Sequence, residues 1–353
     1  MSIRLLVVDD SAFMRKAISM VLEEEPDIEV VGTAKDGLEA IEKVKQLRPD
    51  VVTLDIEMPR MDGLTALRRI MQEYPLPVIM VSSLTYEGAR ETIQALELGA
   101  VDFIPKQFSF ISVGQAEIKE QLIQKIRAAA QSRFRLLKRR FSPPAASCSR
   151  RIHFPRLPAI KIIVIGISTG GPLSLQKVIP RLPAEFSVPI AIVQHMPPNF
   201  TRLLAERLDH LSLLRVVEAE DNMPIDPGTV YVAPGGWHLH IRKRLDAATC
   251  YLSQEPKNLL FRPSADVLFE SASRVFGKDV LAVVMTGMGK DGLKGTQKIK
   301  AAGGKVIAQD EQSSVVYGMP RAVVEAGLAD AVLPLEKIPE ALTQAIGLQM
   351  VPA

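Results

Sequence analysis

Short runs of Val, Ile and Leu alternate along the chain with longer stretches in which apolar residues recur every three or four positions. Over the first third the runs are IRLLVVDD (3–10), EVVGTA (29–34), DVVTLDIEMP (50–59), PVIMVSS (77–83) and DFIPK (102–106). Between and after them lie amphipathic stretches such as AFMRKAISMVLEEE (12–25), GLEAIEKVKQL (37–47) and QAEIKEQLIQKIRAAAQ (115–131). A continuous apolar run leaves no polar face for water, so it predicts a strand covered on both sides. Strands that take turns with helices predict a parallel sheet wound on both faces.

The periodicity fades between Arg133 and Pro158, where prolines, serines and a concentration of arginine appear, and residues 126–157 read as a basic linker. Alternation resumes with IKIIVIGIS (160–168), PLSLQKVIPRL (172–182), PIAIVQH (189–195) and TRLLAERLDHL (201–211), and again with VLAVVMTG (280–287) and KVIAQD (305–310). Between these, TVYVAPGGWHLHIRK (229–243) and CYLSQ (250–254) show a period of two and predict an antiparallel hairpin attached to the main sheet. The expectation is two doubly wound α/β domains, at 1–125 and 158–350. The first is flavodoxin-like, and the second is a Rossmann-like sheet plus the hairpin.

Composition changes this picture little, since 47% hydrophobic and 24% charged residues suit an ordinary globular chain. No apolar run approaches the ~20 residues that span a bilayer, and the start of the chain lacks a signal-peptide pattern. Cys148 and Cys250 carry no metal-binding or redox spacing, and the cytoplasm is the expected compartment. Charge changes more. Residues 1–120 hold 13 Lys and Arg against 21 Asp and Glu, a net of −8, residues 121–161 hold 11 basic residues and no acidic one, and residues 162–353 hold 19 of each. The basic surplus therefore sits in the linker. A DNA-binding reading would need a basic folded surface that the second domain does not offer.

Chemistry gathers at the strand ends. In the first domain Asp9 and Asp10 end one strand, Asp55 another, Ser82 and Ser83 a third, and Lys106 follows a fourth. Carboxylates collected at one end of a sheet repel one another unless a hard cation joins them, and Mg²⁺ favours carboxylates with water and phosphate oxygens. The arrangement suits phosphorylation of Asp55, with Mg²⁺ held by Asp10, Asp55 and the backbone carbonyl of Glu57, Asp9 nearby, and phosphoryl oxygens bound by Ser82 and Lys106. LLVVDDSAFMRK (5–16), VVTLDIEMPRMDGL (51–64), VIMVSS (78–83) and GAVDFIPK (99–106) closely resemble the receiver domain of bacterial two-component response regulators. The resemblance implies that Asp55 is the phosphoacceptor, Ser82 the switch hydroxyl, Lys106 the receiver lysine and Phe103 the aromatic switch, with a histidine kinase as phosphodonor.

In the second domain GISTGG (166–171) follows a strand and precedes a helix. As a dinucleotide loop it fails twice: Ser168 stands where a glycine must let the backbone approach pyrophosphate, and the next strand ends in Gln194 and His195 rather than an acid. As G-x-S-x-G it fits, with a serine on a tight strand-to-helix turn. Such a serine needs a base and the base an orienting acid. His195 ends the following strand, and Asp291 lies in the glycine-rich stretch after the strand VLAVVMTG. Of the other histidines, His153 lies in the linker, His210 on the polar end of a helix, and His238 and His240 read as packing or surface residues with no acid or cysteine beside them to complete a metal site.

The order Ser, His, Asp differs from that of α/β-hydrolases. IGISTGGP (165–172), QHMPPNFT (194–201), VYVAPGGWH (230–238), FRPSADVLFES (261–271) and VVMTGMGKDG (283–292) instead resemble the catalytic domain of the chemotaxis protein-glutamate methylesterases. The resemblance implies hydrolysis of glutamate γ-methyl esters on chemoreceptors, deamidation of receptor glutamines, Ser168, His195 and Asp291 as catalytic residues, and backbone amides of Thr169, Gly170 and Met288 for the oxyanion. It further implies regulation by phosphorylation and no cofactor for the hydrolysis itself. The implied partners are methylated chemoreceptors and a chemotaxis sensor kinase, without nucleic acid or membrane insertion.

Overall fold

The structure is a computed structural model that describes residues 2–106, 116–141, 160–245 and 247–348. The chain divides into two compact units, Met1–Ala146 and Ser147–Ala353.

The first unit runs β1 (Ile3–Val8), α1 (Ala12–Glu23), β2 (Ile28–Ala34), α2 (Gly37–Leu47), β3 (Val51–Asp55), α3 (Gly63–Glu73), β4 (Val78–Ser82), α4 (Tyr86–Glu97), β5 (Asp102–Pro105) and α5 (Ala116–Phe141). Its strands form one parallel sheet in the order β2-β1-β3-β4-β5. The strands read as unbroken apolar runs because both faces are covered: Leu5, Leu6, Val52, Leu54, Ile79 and Met80 are fully buried. Ser11, Asp36, Asp62 and Thr85 cap α1 to α4 by accepting from amides of the first turn, each cap contributing about 1 kcal/mol. Helix α5 runs on to Phe141, well past residue 126 where the linker was expected to begin. The reason is that no Gly or Pro interrupts residues 116–141, and Pro143 and Pro144 are the first helix breakers. The remaining linker residues, 142–157, and with them Cys148 and His153, lie outside the described residues.

The second unit runs β6 (Ile162–Ile167), α6 (Gly171–Val178), β7 (Ile190–Gln194), α7 (Phe200–Leu211), β8 (Arg215–Glu218), β9 (Thr229–Val232), β10 (His238–Arg244), β11 (Ala247–Ser253), α8 (Ala265–Phe276), β12 (Val280–Val284), α9 (Leu293–Ala301), β13 (Lys305–Gln309), α10 (Met319–Glu325), β14 (Ala331–Leu333) and α11 (Ile338–Ala345). Seven strands make a parallel sheet in the order β14-β13-β12-β6-β7-β9-β8.

The hairpin differs from expectation in two respects. TVYV is β9, a parallel strand of the main sheet, whereas β10 and β11 pair antiparallel as a separate two-stranded sheet. TVYV looked half-polar because of Tyr231, yet that ring is buried, and its hydroxyl donates to Pro224 O at 2.9 Å and accepts from Asp226 N at 2.8 Å. Helix α8 packs on the hairpin, with Ile241 N donating to Ser271 Oγ at 3.0 Å. His238 is buried and His240 half-buried, and among the described residues neither belongs to a cluster able to hold a metal.

Candidate functional site

In a doubly wound sheet the crevice opens beyond the strand ends, where the connections diverge to opposite faces. In the first unit that point lies between β1 and β3. Asp9 and Asp10 follow β1 and Asp55 closes β3, so both strands deliver acids to the crevice. Oxygens of the three side chains lie within 4.8 Å of one another, with Asp9 and Asp55 buried and Asp10 exposed. Lys106, just beyond β5, sets its Nζ 2.7 Å from Asp55 Oδ2 and 3.3 Å from Asp9 Oδ2. One lysine does not balance the cluster. Burial, reinforced by the charge of Asp9, pushes the Asp55 carboxyl up to about 6 against the pull of Lys106, and burial likewise raises Asp9.

A cavity of about 300 Å³ opens over these acids, bordered also by Glu57, Ser82 and Lys106. The Ser82 hydroxyl donates to Gly88 O at 3.0 Å and accepts from Thr92 Oγ1 at 2.7 Å. Phe103 is buried on β5, with the Lys125 ammonium 5.1 Å from its ring centroid.

In the second unit the connections diverge between β12 and β6, and β7 flanks β6 on its other side. Ser168 follows β6, His195 follows β7 and Asp291 lies in the loop after β12, so three neighbouring strands aim these residues at one crevice. The main chain of Ser168 is held on all sides. Its N–H donates to Thr286 O at 2.9 Å, and its carbonyl accepts from Gly171 N at 2.7 Å and from Gln194 Nε2 at 3.0 Å. Gly170 has φ of +75°, and a Cβ there would come within 2.5 Å of Val315, so the turn requires glycine.

The His195 ring nitrogen Nε2 lies 2.8 Å from Asp291 Oδ2, and the ring stacks on Phe261 at 4.2 Å between centroids and 7° between planes. The other ring nitrogen, Nδ1, is buried and has no hydrogen-bond partner. Asp291 accepts three further bonds: from Ser264 Oγ at 2.8 Å, Ala265 N at 2.6 Å and Asp266 N at 3.1 Å. Burial alone would raise its pKa, but the His195 hydrogen bond and charge together with the Ala265 and Asp266 amides hold it down at about 2. Thr169 and Gly170 are buried and Met288 half-buried at the crevice. The amides of Gly170 and Met288 donate to no group among the described residues.

Sequence reasoning passed over the residues that hold this constellation, namely Gln194, Thr286, Ser264, Phe261 and Asp266. Ser264 stands at the N-cap of α8, but its hydroxyl bonds Asp291 rather than its own helix, an exchange that leaves no trace in the local pattern.

An acid pocket of receiver type and a serine, histidine and aspartate at the strand ends of a second sheet mark the class as a serine hydrolase that carries a receiver. Residues 163–342 match the family described as CheB methylesterase, and residues 5–116 match the response regulator receiver domain. A protein-glutamate methylesterase/protein-glutamine glutaminase of Pyrococcus abyssi is 50% identical over 345 residues, covering 98% of this chain and 94% of that protein. The protein of the same name from Thermotoga maritima is 49% identical over 346 residues, covering 98% of each. The crystal structure of the Thermotoga maritima CheB methylesterase catalytic domain, 49% identical, superposes with a TM-score of 0.51 over 52% of this chain and 97% of that one. The chain belongs to the CheB methylesterase family, which decides for the hydrolase against the DNA-binding reading.

Proposed function

We propose that the protein hydrolyses glutamate γ-methyl esters on chemoreceptors under control of receiver phosphorylation, and deamidates receptor glutamines by the same route. The observation that carries the reading is the His195 ring, fixed to Asp291 through Nε2 while its buried Nδ1 has no partner. With Nε2–H donated to the carboxylate, Nδ1 is the basic nitrogen and the one available to take a proton from Ser168. Asp291, held at about 2, stays ionised at neutral pH and keeps this tautomer.

Ser168 Oγ attacks the ester carbonyl as Nδ1 takes its proton. The oxyanion accepts from the amides of Gly170 and Met288, which are otherwise unengaged, with Thr169 N beside them. Nδ1–H then protonates the departing methoxide to methanol, or the leaving nitrogen to ammonia for a glutamine. Water deprotonated by Nδ1 hydrolyses the glutamyl ester and returns Ser168. Methanol release from methylated receptor fragments tests the assignment: Ser168→Ala is expected to lose roughly 10⁶-fold in kcat, and near-normal release by that variant overturns it.

In the receiver, Asp10, Asp55 and the Glu57 carbonyl are the groups that would hold Mg²⁺. The fit rests on carboxylate oxygens of Asp9, Asp10 and Asp55 within 4.8 Å of one another and on burial, reinforced by the Asp9 charge, that pushes Asp55 up to about 6. When bound, the ion neutralises negative charge between carboxylate and phosphoryl oxygens. Asp55 accepts the phosphoryl group, Lys106 moves its ion pair from the carboxylate to a phosphoryl oxygen, and Ser82 turns its hydroxyl from Gly88 O toward the same group. The phosphodonor is a chemotaxis sensor kinase and the substrate a methylated receptor, both met in the cytoplasm.

A further inference from the structure

We infer that Asp266, at the start of α8, is a positioning residue for the hydrolysis: it fixes the loop that carries Asp291 and thereby sets the His195 ring. The inference rests on the reading of Asp291 as the acid that orients the base.

The two helices α8 and α9 begin side by side, and neither caps itself. Ser264 at the start of α8 and Gly292 at the start of α9 make no side-chain cap bond. Each helix borrows its cap from the other's approach. Asp291, two residues before α9, accepts the Ala265 and Asp266 amides that open α8. Asp266, in the first turn of α8, accepts Gly295 N in the first turn of α9 at 2.7 Å. The exchange is reciprocal, and only one of the two carboxylates reaches the histidine.

The geometry leaves little slack. A Cβ at Gly295 would come within 2.5 Å of Phe269 Cβ and 2.9 Å of Asp266 O, so the helices meet backbone to backbone at this residue. The loop between β12 and α9 is otherwise rich in glycine, with Gly289 at φ +78° and Gly292 at φ +91°. A segment of that composition does not hold a carboxylate in place by its own stiffness. Its position is instead imposed at Asp291 by the start of α8 and, just beyond the loop, at Gly295 by Asp266. Without the second anchor, the loop turns about the first, which is the catalytic carboxylate itself.

Orientation is the property at stake, because catalytic groups displaced by about 1 Å commonly lose up to 10²-fold. A positioning role predicts a loss in kcat that passes through Asp291, whereas a purely structural role predicts a loss in stability that does not.

The experiment measures methanol release from methylated receptor fragments by the full chain. Asp266→Ala is expected to lower kcat by roughly tenfold or more with KM unchanged. Asp266→Asn, whose amide oxygen accepts the same N–H, recovers most of the rate. In an Asp291→Asn background Asp266→Ala costs less than about twofold more, since the orientation it guards is already lost. Should Asp266→Ala not fold, Asp266→Glu serves in its place, with the charge kept and the acceptor displaced by one methylene. A kcat within twofold of wild type in the displaced or deleted variants, or an undiminished loss in the Asp291→Asn background, overturns the proposal. Failure of the wild type to release methanol would instead reject the hydrolase reading on which it rests.

Discussion

Asp291 and Asp266 sit at the same pair of helix starts, yet their pKa values are driven apart. Asp291 is buried, but four donors and the His195 charge hold it at about 2. Asp266, half-buried beside the Asp291 charge with fewer donors, is pushed up to about 6 by loss of water and by that charge. The signs follow from linkage. A carboxyl depressed from 3.8 to about 2 contributes about 2 kcal/mol that is fully present above pH 4 and lost as pH falls toward 2. One raised from 3.8 to about 6 contributes stability present below pH 4 and lost as pH rises through 6. Thermal unfolding of Asp291→Asn is therefore expected to fall furthest below wild type above pH 4 and to converge with it near pH 2. Asp266→Asn, freed of an unfavourable charge, is expected to gain on wild type between pH 4 and pH 7, and a shift in the opposite direction would contradict the cause assigned to its raised pKa.

The turns that present these side chains set constraints at the level of elements. Gly171, the first residue of α6, lies against the Gln194 amide, so a Cβ there would overlap Gln194 Oε1. A Cβ at Gly287 would reach Ser168 Cβ at 2.8 Å and Met319 Sδ at 2.5 Å. Gly171→Ala and Gly287→Ala are thus expected to displace the serine turn and lower kcat by one to two orders of magnitude. Circular dichroism should show the sheet intact, because the clashes lie at element ends, where Gly171 opens α6, Gln194 closes β7 and Met319 opens α10. The strands themselves were legible: VVDD, TLDIEMP and VIMVSS announce buried parallel strands, and the acids at their ends announce where the crevice lies. Ser168, His195 and Asp291 were legible for the same reason, as chemical groups at the ends of apolar runs. The end of α5 and the identity of β9 were not. The concentration of arginine in residues 126–141 reads as linker and hides a helix whose stop is marked only by Pro143 and Pro144. A buried strand that carries Tyr231 alternates in polarity without facing water. The helix-start exchange between Asp266 and Asp291 was invisible too, because residues 25 positions apart share no local pattern.

Across the whole chain the acidic and basic residues are partitioned by function. The first 120 residues carry a net of −8, with Asp9, Asp10 and Asp55 gathered at one crevice, whereas residues 162–353 balance at 19 of each sign. No helix among the described residues is long and apolar enough to cross a membrane. On the proposed reading, phosphorylation of Asp55 adds about −1.5 to −2 of charge in the unit that is already acidic, and its effect must reach Ser168, His195 and Asp291, which belong to the other compact unit. Three preparations separate the two activities: the full chain, the full chain with Asp55→Asn, and a chain that starts at residue 158. A small-molecule phosphodonor with Mg²⁺ is expected to raise methanol release by the full chain alone. Asp55→Asn should keep the basal rate and lose the response, since it leaves Ser168, His195 and Asp291 untouched. The shortened chain should hydrolyse at a rate indifferent to the phosphodonor. A response in either altered chain would mean that the phosphoryl group acts somewhere other than Asp55, and equal rates in the treated and untreated full chain would remove the receiver from control of the hydrolysis.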